Sequence, residues 1–449
     1  MLADATAHHA PVDVLAARDA HGSTAETSRG HLARAGSGVG EGSTGPVPIK
    51  RRRTTRAQME PSRRGPANAC RVVRRPLPHT RAGPSQPPTA CVSLGALSVP
   101  DVDADAIEEL YARGVTDGLP VVPPTRARVD RAIAASGRSG DELVALVPPN
   151  YGRATVEKIA INAVMAGCRP EYLPVVIAAI DAVCDEAFDL HGVSATTNAP
   201  SPLVIVNGPI RARLEINSGA GVFGPGWRAN ATIGRAVRLV CVNLGGARPG
   251  VVSMSTLAHP GRYTYCIGEH EEASPWESLA VEHGFAASQS VVAVLAADAP
   301  LGVYAQHSRT PDHLLPTLAA SMAVVSHHRM THWGDTLLVL SPEHAKIFGD
   351  AGWKKADVRR WLHERLRWPV RALRPGLDGG EGLPEHVLAK FGDPSSDTTM
   401  IPKFRSPENI KLLVAGGLAG RFSAIVPGWT FSKGSALVFR PIHRPPHSR

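Results

Sequence analysis

Glycine and small polar residues are concentrated in one stretch of the chain, in a pattern suited to ligand contact. The segment Asn217–Arg228 holds several glycines, so its open backbone can direct amide groups toward a bound molecule. Asn230 is predicted to cap the following helix, and a helix N-terminus favours anions. Arg228 adds a two-pronged donor for carboxylate or phosphate. We therefore predict a site that favours anionic substrates and contains Asn217, Gly219, Arg228 and Asn230. The alternative is that this segment is an ordinary glycine-rich loop without a binding role.

A second glycine-rich segment is expected to join this site. The apolar run Lys411–Ala415 predicts a strand that ends in Gly416 and Gly417. Ligands approach open α/β sheets at such strand ends. The spacing of the glycines in both segments matches neither a phosphate-binding P-loop nor a dinucleotide-binding fingerprint. We predict that Gly416 and Gly417 bind substrate, without assigning a nucleotide.

Cys168 is the first candidate for a catalytic side chain. It lies between two predicted helices and next to Arg169, and Pro170 is expected to be the first residue of the second helix. A helix N-terminus and a neighbouring cation both lower the pKa of a thiol, which predicts a reactive thiolate. A small buried cysteine filling the helix junction is the alternative.

Acid–base chemistry has three further candidates. Glu271 belongs to the run Glu269–Glu272, which could supply a general base or form the acidic first turn of a helix near Trp276. His191 could act as an acid or base, with Asn198 nearby as a substrate contact, or could be a loop histidine with satisfied hydrogen bonds.

Glu157, which precedes a lysine, is the third candidate; it could be catalytic or part of a solvated ion pair. The sequence has neither an HExxH motif nor a CxxC pair, so no metal site is predicted. The sequence does not require a cofactor, and the identity of any cofactor stays unknown.

Positive charge is confined to the beginning of the chain. The 449 residues carry a formal charge of +9, but residues 1–95 hold 14 Lys and Arg against 6 Asp and Glu, which leaves 35 basic and 34 acidic residues in the rest. The near-neutral remainder argues against a nucleic-acid-binding domain. The composition of residues 1–95 predicts a disordered basic extension, and we interpret the run Lys50–Arg53 as a solvated charge run.

The working domain is predicted at residues 99–444, with a division into two lobes near residues 285–290 as an option. No window is apolar enough for a membrane span, and six dispersed cysteines are too few for a disulfide framework, which favours a cytoplasmic protein. Short apolar strands alternate with amphipathic helices, so we expect an α/β fold with a mixed or mostly parallel sheet covered by helices. No internal repeat is visible in the sequence.

Several segments together resemble a largely uncharacterised bacterial family over roughly Asp105–Arg440. These segments are Thr116–Thr125 (TDGLPVVPPT), Ala154–Ala160 (ATVEKIA), Met165–Tyr172 (MAGCRPEY), Arg228–Arg235 (RANATIGR), His259–Gly261 (HPG), Glu271–Trp276 (EEASPW) and Val414–Gly417 (VAGG). Members of this family occur alongside small proteins of the UGSC type, named for a selenocysteine- or cysteine-Gly-Ser-Cys motif. This chain lacks that motif, so the resemblance implies that such redox chemistry would come from a separate partner.

Three functions are compatible with these features. The first is the larger subunit of a two-component thiol- or selenol-dependent enzyme, oxidoreductase-like and acting on a small anionic metabolite, within a homo- or hetero-oligomer. The second is a non-redox lyase or hydrolase that uses Glu and His. The third is a non-catalytic scaffold for a small UGSC- or CGSC-type redox protein. Neither nucleic acid nor membrane is an expected partner.

Overall fold

The computed structural model describes residues 105–376, 379–429 and 436–443. The chain divides into two units, Met1–Val92 and Ser93–Arg449, and the fold described below belongs to the second. The predicted basic extension at residues 1–95 lies outside the described residues. No helix in the described part of the chain is long and apolar enough to cross a membrane.

The helices are α1 (Asp105–Ala112), α2 (Arg126–Ser136), α3 (Val156–Ala166), α4 (Leu173–Val183), α5 (Leu190–Ala195), α6 (Ile210–Arg213), α7 (Arg228–Asn243), α8 (Leu279–Glu282), α9 (Pro311–Ala323), α10 (Pro342–Asp350), α11 (Lys355–Arg365) and α12 (Glu385–Leu388). The strands are β1 (Leu143–Val147), β2 (Gly152–Thr155), β3 (Ser201–Asn207), β4 (Cys266–Gly268), β5 (Val291–Ala297), β6 (Leu301–Tyr304), β7 (Thr336–Leu340), β8 (Arg367–Pro369), β9 (Met400–Pro402), β10 (Ile410–Val414), β11 (Phe422–Pro427) and β12 (Val438–Pro441).

Two four-stranded mixed sheets form the centre of the fold. The first has the order β4-β3-β5-β12 and the second the order β10-β7-β11-β6. The pair β3 and β4 and the pair β7 and β10 are parallel, whereas the other neighbours in both sheets are antiparallel. The α/β class and the mixed sheet are confirmed.

The two sheets pack face to face between two layers of helices. Alternate residues of the central strands, such as Leu203 in β3 and Leu337 in β7, share one apolar cluster between the sheets. The opposite face of the first sheet packs against α3, α4 and α7, and that of the second packs against α9, α10 and α11. Each sheet is therefore covered by helices on one face and by the other sheet on the second face, which explains why the central strands β3, β5 and β7 are buried over their whole length.

The second sheet repeats the topology of the first. In both, a central strand has a parallel neighbour on one side and two successive antiparallel strands on the other. The outermost antiparallel strands are exchanged: β6 follows β5 in the chain but joins the second sheet, and β12 follows β11 but joins the first. Ala297 and Gly428 pair where the two exchanged segments cross. This repeat joins the two halves into one shared core.

Candidate active site at the strand ends

The carboxyl ends of the parallel strand pairs meet between the two sheets. The backbone N–H of His270, just after β4, donates to the carbonyl of Val414 at the end of β10 (2.7 Å). The N–H of Gly416 donates to the carbonyl of Ser218 (2.8 Å). The two glycine-rich segments singled out in the sequence therefore lie side by side, at the kind of strand end where α/β proteins bind ligands.

Glu269 is the buried centre of this region. It is 0% exposed, and its Oε2 accepts hydrogen bonds from Asn207 Nδ2 (2.6 Å) and from the backbone N–H of Leu279 (2.8 Å). Burial raises the pKa of its carboxyl to about 7, although the charge of Lys355 and these hydrogen bonds act in the opposite direction. Its Oε1 is buried and has no hydrogen-bond partner among the described residues. Glu269 can therefore exchange a proton near neutral pH.

Glu271 lies beside Glu269 and is more accessible, with a side chain 23% exposed. Its Oε1 accepts hydrogen bonds from the Gly208 backbone N–H (2.7 Å) and from Asn207 Nδ2 (3.0 Å). Arg211 Nε lies 3.3 Å from the same oxygen. The amide of Asn207 thus connects the two carboxyl groups, one fully buried and the other partly exposed.

The side chain of Arg211 is ion-paired with two glutamates of this cluster, Glu271 and Glu272. Its side chain is 7% exposed, and besides Glu271 it contacts both carboxylate oxygens of Glu272 (2.8 and 3.3 Å). The carboxyl groups therefore outnumber this cation in the cluster. Because the guanidinium of Arg211 is already paired, it adds no uncompensated positive charge at this strand end, and the anion-binding character of the site stays a prediction.

Asn217 and Asn230 hold the glycine-rich loop in place. Asn230 is the third residue of α7 and not its N-cap, which is Trp227. Its Oδ1 accepts the Asn217 N–H (2.7 Å), and its Nδ2 donates to the carbonyls of Asn217 (2.9 Å) and Cys266 (3.1 Å). The Asn217 side chain accepts the Gly219 N–H (2.8 Å). These predicted substrate-binding residues fix the loop to β4.

Gly416 and Gly417 form the opposite side of the contact between the glycine segments. Gly416 has a φ of 114°, in the region that favours glycine, and its carbonyl lies 3.3 Å from His270 Nδ1. A Cβ on Gly417 would stand 3.3 Å from the Cβ of Ala220. The absence of side chains at these glycines lets the two loops approach.

Two cavities adjoin the strand ends. An open cleft of about 710 Å³ is lined by Glu272, Trp276 and Leu418 together with residues along the length of α10. A second cavity, of about 400 Å³, lies under the glycine-rich loop and is lined by Phe223 and Tyr265 among other mainly apolar groups. Both volumes fall in the range of small-molecule sites, about 300–1,000 Å³.

Cys168 and Arg228 lie together at a different place. Pro170 does begin a 3₁₀ turn that leads into α4, as the sequence indicated. However, the thiol donates to the carbonyl of Thr232 in α7 (3.3 Å), and its burial raises the pKa of Cys168 to about 12. The expected thiolate is therefore wrong, because desolvation outweighs the nearby positive charge. Arg228 donates to the carbonyl of Gly167 through Nε and Nη2 (3.1 and 2.9 Å).

The remaining candidates are scattered over the surface. Glu157 lies in the first turn of α3 and forms an exposed ion pair with Arg126. His191 is exposed on α5, and Asn198 accepts a hydrogen bond from the next backbone N–H (2.7 Å). Within the described ranges, no hydrogen bond or ion pair connects these three candidates to the carboxylate cluster.

Sequence reasoning missed Asn207, Arg211 and the central role of Glu269. Asn207 had a usable signal, since it is a polar residue at the end of an apolar strand and precedes Gly208. No local sequence signal marked Arg211 as a site residue, because its partners lie about 60 positions later in the chain. The acidic run is also not the first turn of an α-helix near Trp276: its last two residues, Glu271 and Glu272, begin a separate 3₁₀ turn, and α8 begins only at Leu279.

Among the described residues, no group of three or more His, Cys, Asp or Glu side chains is placed to hold a metal ion. Comparison with known proteins gives no match: no family model, curated protein or solved structure is detectably similar to this chain. The case for function therefore depends on the geometry of the site.

Proposed function

We propose that the protein is an enzyme that performs acid–base chemistry on a small metabolite, as a non-redox hydrolase or lyase. The observation that carries this proposal is the pair of carboxyl groups joined by Asn207. Glu269 has a pKa near 7 and lacks a partner on one oxygen, whereas Glu271 is partly exposed and ion-paired with Arg211. Two neighbouring carboxyl groups in such different environments suit the roles of proton donor and base.

The substrate is assigned to the cleft of about 710 Å³, which begins at Glu272, the residue next to Glu271. In this proposal Glu271 is the general base and Glu269 holds the exchangeable proton behind it. Asn207 orients both carboxyl groups, because its amide donates to each of them. Arg211 contacts Glu271 and Glu272 and fixes the orientation of both carboxylates.

The thiol- or selenol-dependent two-component enzyme is the second candidate. It is supported by the resemblance to the family that accompanies small UGSC-type proteins. It would need a reactive thiol from Cys168 or from the partner, and the raised pKa of Cys168 weakens the first option. We also assign the protein to the cytoplasm, in keeping with its free cysteines Cys168, Cys184, Cys241 and Cys266, and to a homo- or hetero-oligomer.

The test compares three variants of the full chain for their ability to consume components of a metabolite extract, followed by mass spectrometry. Glu271→Gln keeps the acceptor oxygen but removes the base, so consumption should fall at least about a hundredfold. Glu277→Gln, an exposed glutamate outside the cluster, is the matched control and should retain activity. Cys168→Ser should also retain activity.

The opposite pattern would favour the redox enzyme: loss of consumption in Cys168→Ser together with full activity in Glu271→Gln. Thermal midpoints of all variants show whether a loss of activity reflects unfolding. If wild-type protein consumes nothing with or without a thiol reductant, the acid–base enzyme is refuted. The same assay with a small UGSC-type protein added then separates the two-component enzyme, which should become active, from the scaffold, which should not.

A further inference from the structure

A compact pocket on the helical side of the first sheet combines four arginines with Cys168. Its volume is about 190 Å³, and Arg128, Arg131, Arg169 and Arg228 all line it. The arginines come from α2, from the turn before α4 and from the start of α7. Three segments that are distant in the sequence thus supply the same kind of side chain to one small space.

Backbone carbonyls orient three of these four guanidinium groups. Arg128 donates to the carbonyl of Pro123 (2.9 Å), and Arg131 donates to that of Ala127 (3.3 Å). Arg228 donates to the carbonyl of Gly167 (2.9 and 3.1 Å). Carbonyl contacts fix direction without neutralising the charge, and each guanidinium has further N–H groups to offer.

The positive charge of the pocket is largely uncompensated. No carboxylate among the described residues lies within ion-pair distance of Arg128, Arg131 or Arg228, and Arg169 has only the exposed Glu215 at 3.7 Å. No acidic side chain lines the pocket. Four guanidinium groups around one space repel each other, so an anion that binds between them gains from all four.

We propose that this pocket binds a small oxyanion that carries at least two negative charges, such as a phosphate or pyrophosphate group. The volume is below the range of about 300–1,000 Å³ typical of drug-sized ligands, which suits an anion of few heavy atoms. Planar guanidinium groups match the oxygens of such an anion through paired N–H donors. The pocket is separate from the carboxylate cluster, so this proposal and the acid–base proposal can fail independently.

The test is calorimetric titration of the full chain with inorganic pyrophosphate, in a metal-free buffer at near-physiological ionic strength. Wild-type protein should bind with saturation. Arg128→Gln and Arg131→Gln remove guanidinium groups from exposed positions on α2, so neither should unfold the protein. Each should weaken binding by about tenfold, the usual effect of losing one charge-assisted contact.

Arg153→Gln is the matched control, because it removes the same charge from an exposed arginine that does not line the pocket. Because every variant retains the basic residues 1–95, non-specific binding by that segment contributes equally to all the measured affinities. Unchanged affinity in Arg153→Gln together with the losses in the pocket variants supports the proposal. Absence of saturable binding overturns the proposal, and so does an equal loss in all three variants, since it would show only a response to net charge.

Discussion

The raised pKa of Glu269 makes a specific prediction about stability and pH. Its folded-state pKa of about 7 lies above the ordinary value of 4.5, so the folded protein binds this proton more tightly than the unfolded chain does. The resulting stabilisation is complete below about pH 4.5 and is lost as the pH rises through 7. The two pKa values imply that about 2–3 kcal/mol of unfolding free energy disappears between pH 5 and pH 8.

Glu269→Gln should remove this dependence. The Gln carbonyl oxygen can still accept the hydrogen bonds from Asn207 and Leu279, and the amide cannot ionise. Its NH₂ group would occupy the place of the unpartnered Oε1, at a cost of about 1–3 kcal/mol that is the same at both pH values. The pH-dependent difference between wild type and variant therefore isolates the titration of Glu269.

The assay is urea unfolding of wild type, Glu269→Gln and the exposed-site control Glu277→Gln at pH 5 and pH 8. The stability of wild type relative to Glu269→Gln should fall by about 2–3 kcal/mol over this range. Buried histidines with lowered pKa values, such as His259 and His344, add a background of opposite sign, which cancels in the comparison. Parallel pH profiles for wild type and Glu269→Gln would refute the assignment of a raised pKa.

Four further outcomes are expected. Iodoacetamide should leave Cys168 of the native protein largely unmodified over an hour at neutral pH, since burial raises the pKa of its thiol. Rapid labelling of Cys168, detected by peptide mapping, would instead support the prediction of a reactive thiolate. Gly208→Ala should lower the unfolding free energy by about 2–4 kcal/mol, because φ is +83° and the new Cβ would lie 2.1 Å from a backbone carbonyl oxygen; near-wild-type stability in urea would contradict this close packing. Asp117→Asn should cost about 3 kcal/mol by breaking the two-pronged contact with Arg235 (2.7 and 2.8 Å), and a thermal midpoint within a degree of wild type would count against it. Deletion of residues 1–95 should leave the thermal midpoint and activity intact, whereas a loss of several degrees would show that this segment packs on the domain.

Local sequence signals were sufficient for many elements of the fold. The sequence predicts a helix at Arg126–Ser136 and short apolar strands at Leu143–Val147 and Thr336–Leu340, and the structure has all three elements with these bounds. Strand β4 was missed because it contains only three residues, and β6 because three of its four residues are exposed. The two-sheet arrangement could not be inferred, since strand pairing depends on contacts between distant parts of the chain.

The sequence indicated two parts of the candidate site: the glycine-rich loops and the acidic run that contains Glu271. The contact between the two glycine-rich segments follows from strand-end geometry, which the sequence indicates. The choice between Glu269 and Glu271 depends on burial, and burial is set by elements far away in the chain. For Cys168, the local argument from a helix start gave the wrong pKa direction, because burial raises the pKa of the thiol more than its hydrogen bond with Thr232 and the charge of Arg228 lower it.

The repeated topology allows the strand end that carries the carboxylate cluster, after β4, to be compared with the equivalent strand end after β10. Val206 pairs with Gly268 in the first sheet, as Leu340 pairs with Val414 in the second. The next residues, Glu269 and Ala415, then donate to the carbonyls of Val206 (3.2 Å) and Leu340 (3.0 Å) in the same way. These two residues therefore occupy equivalent positions.

Only the first of these equivalent positions carries an ionisable side chain. Its neighbour Asn207 corresponds to Ser341, whose hydroxyl caps α10 by accepting the N–H of His344 (3.4 Å). Two carboxyl groups facing each other across the contact between the sheets would repel, and burying both would be costly. The small residues Ala415 and Gly416 instead leave room for the backbone of His270. The strand end of the second sheet therefore packs closely against the acidic site of the first.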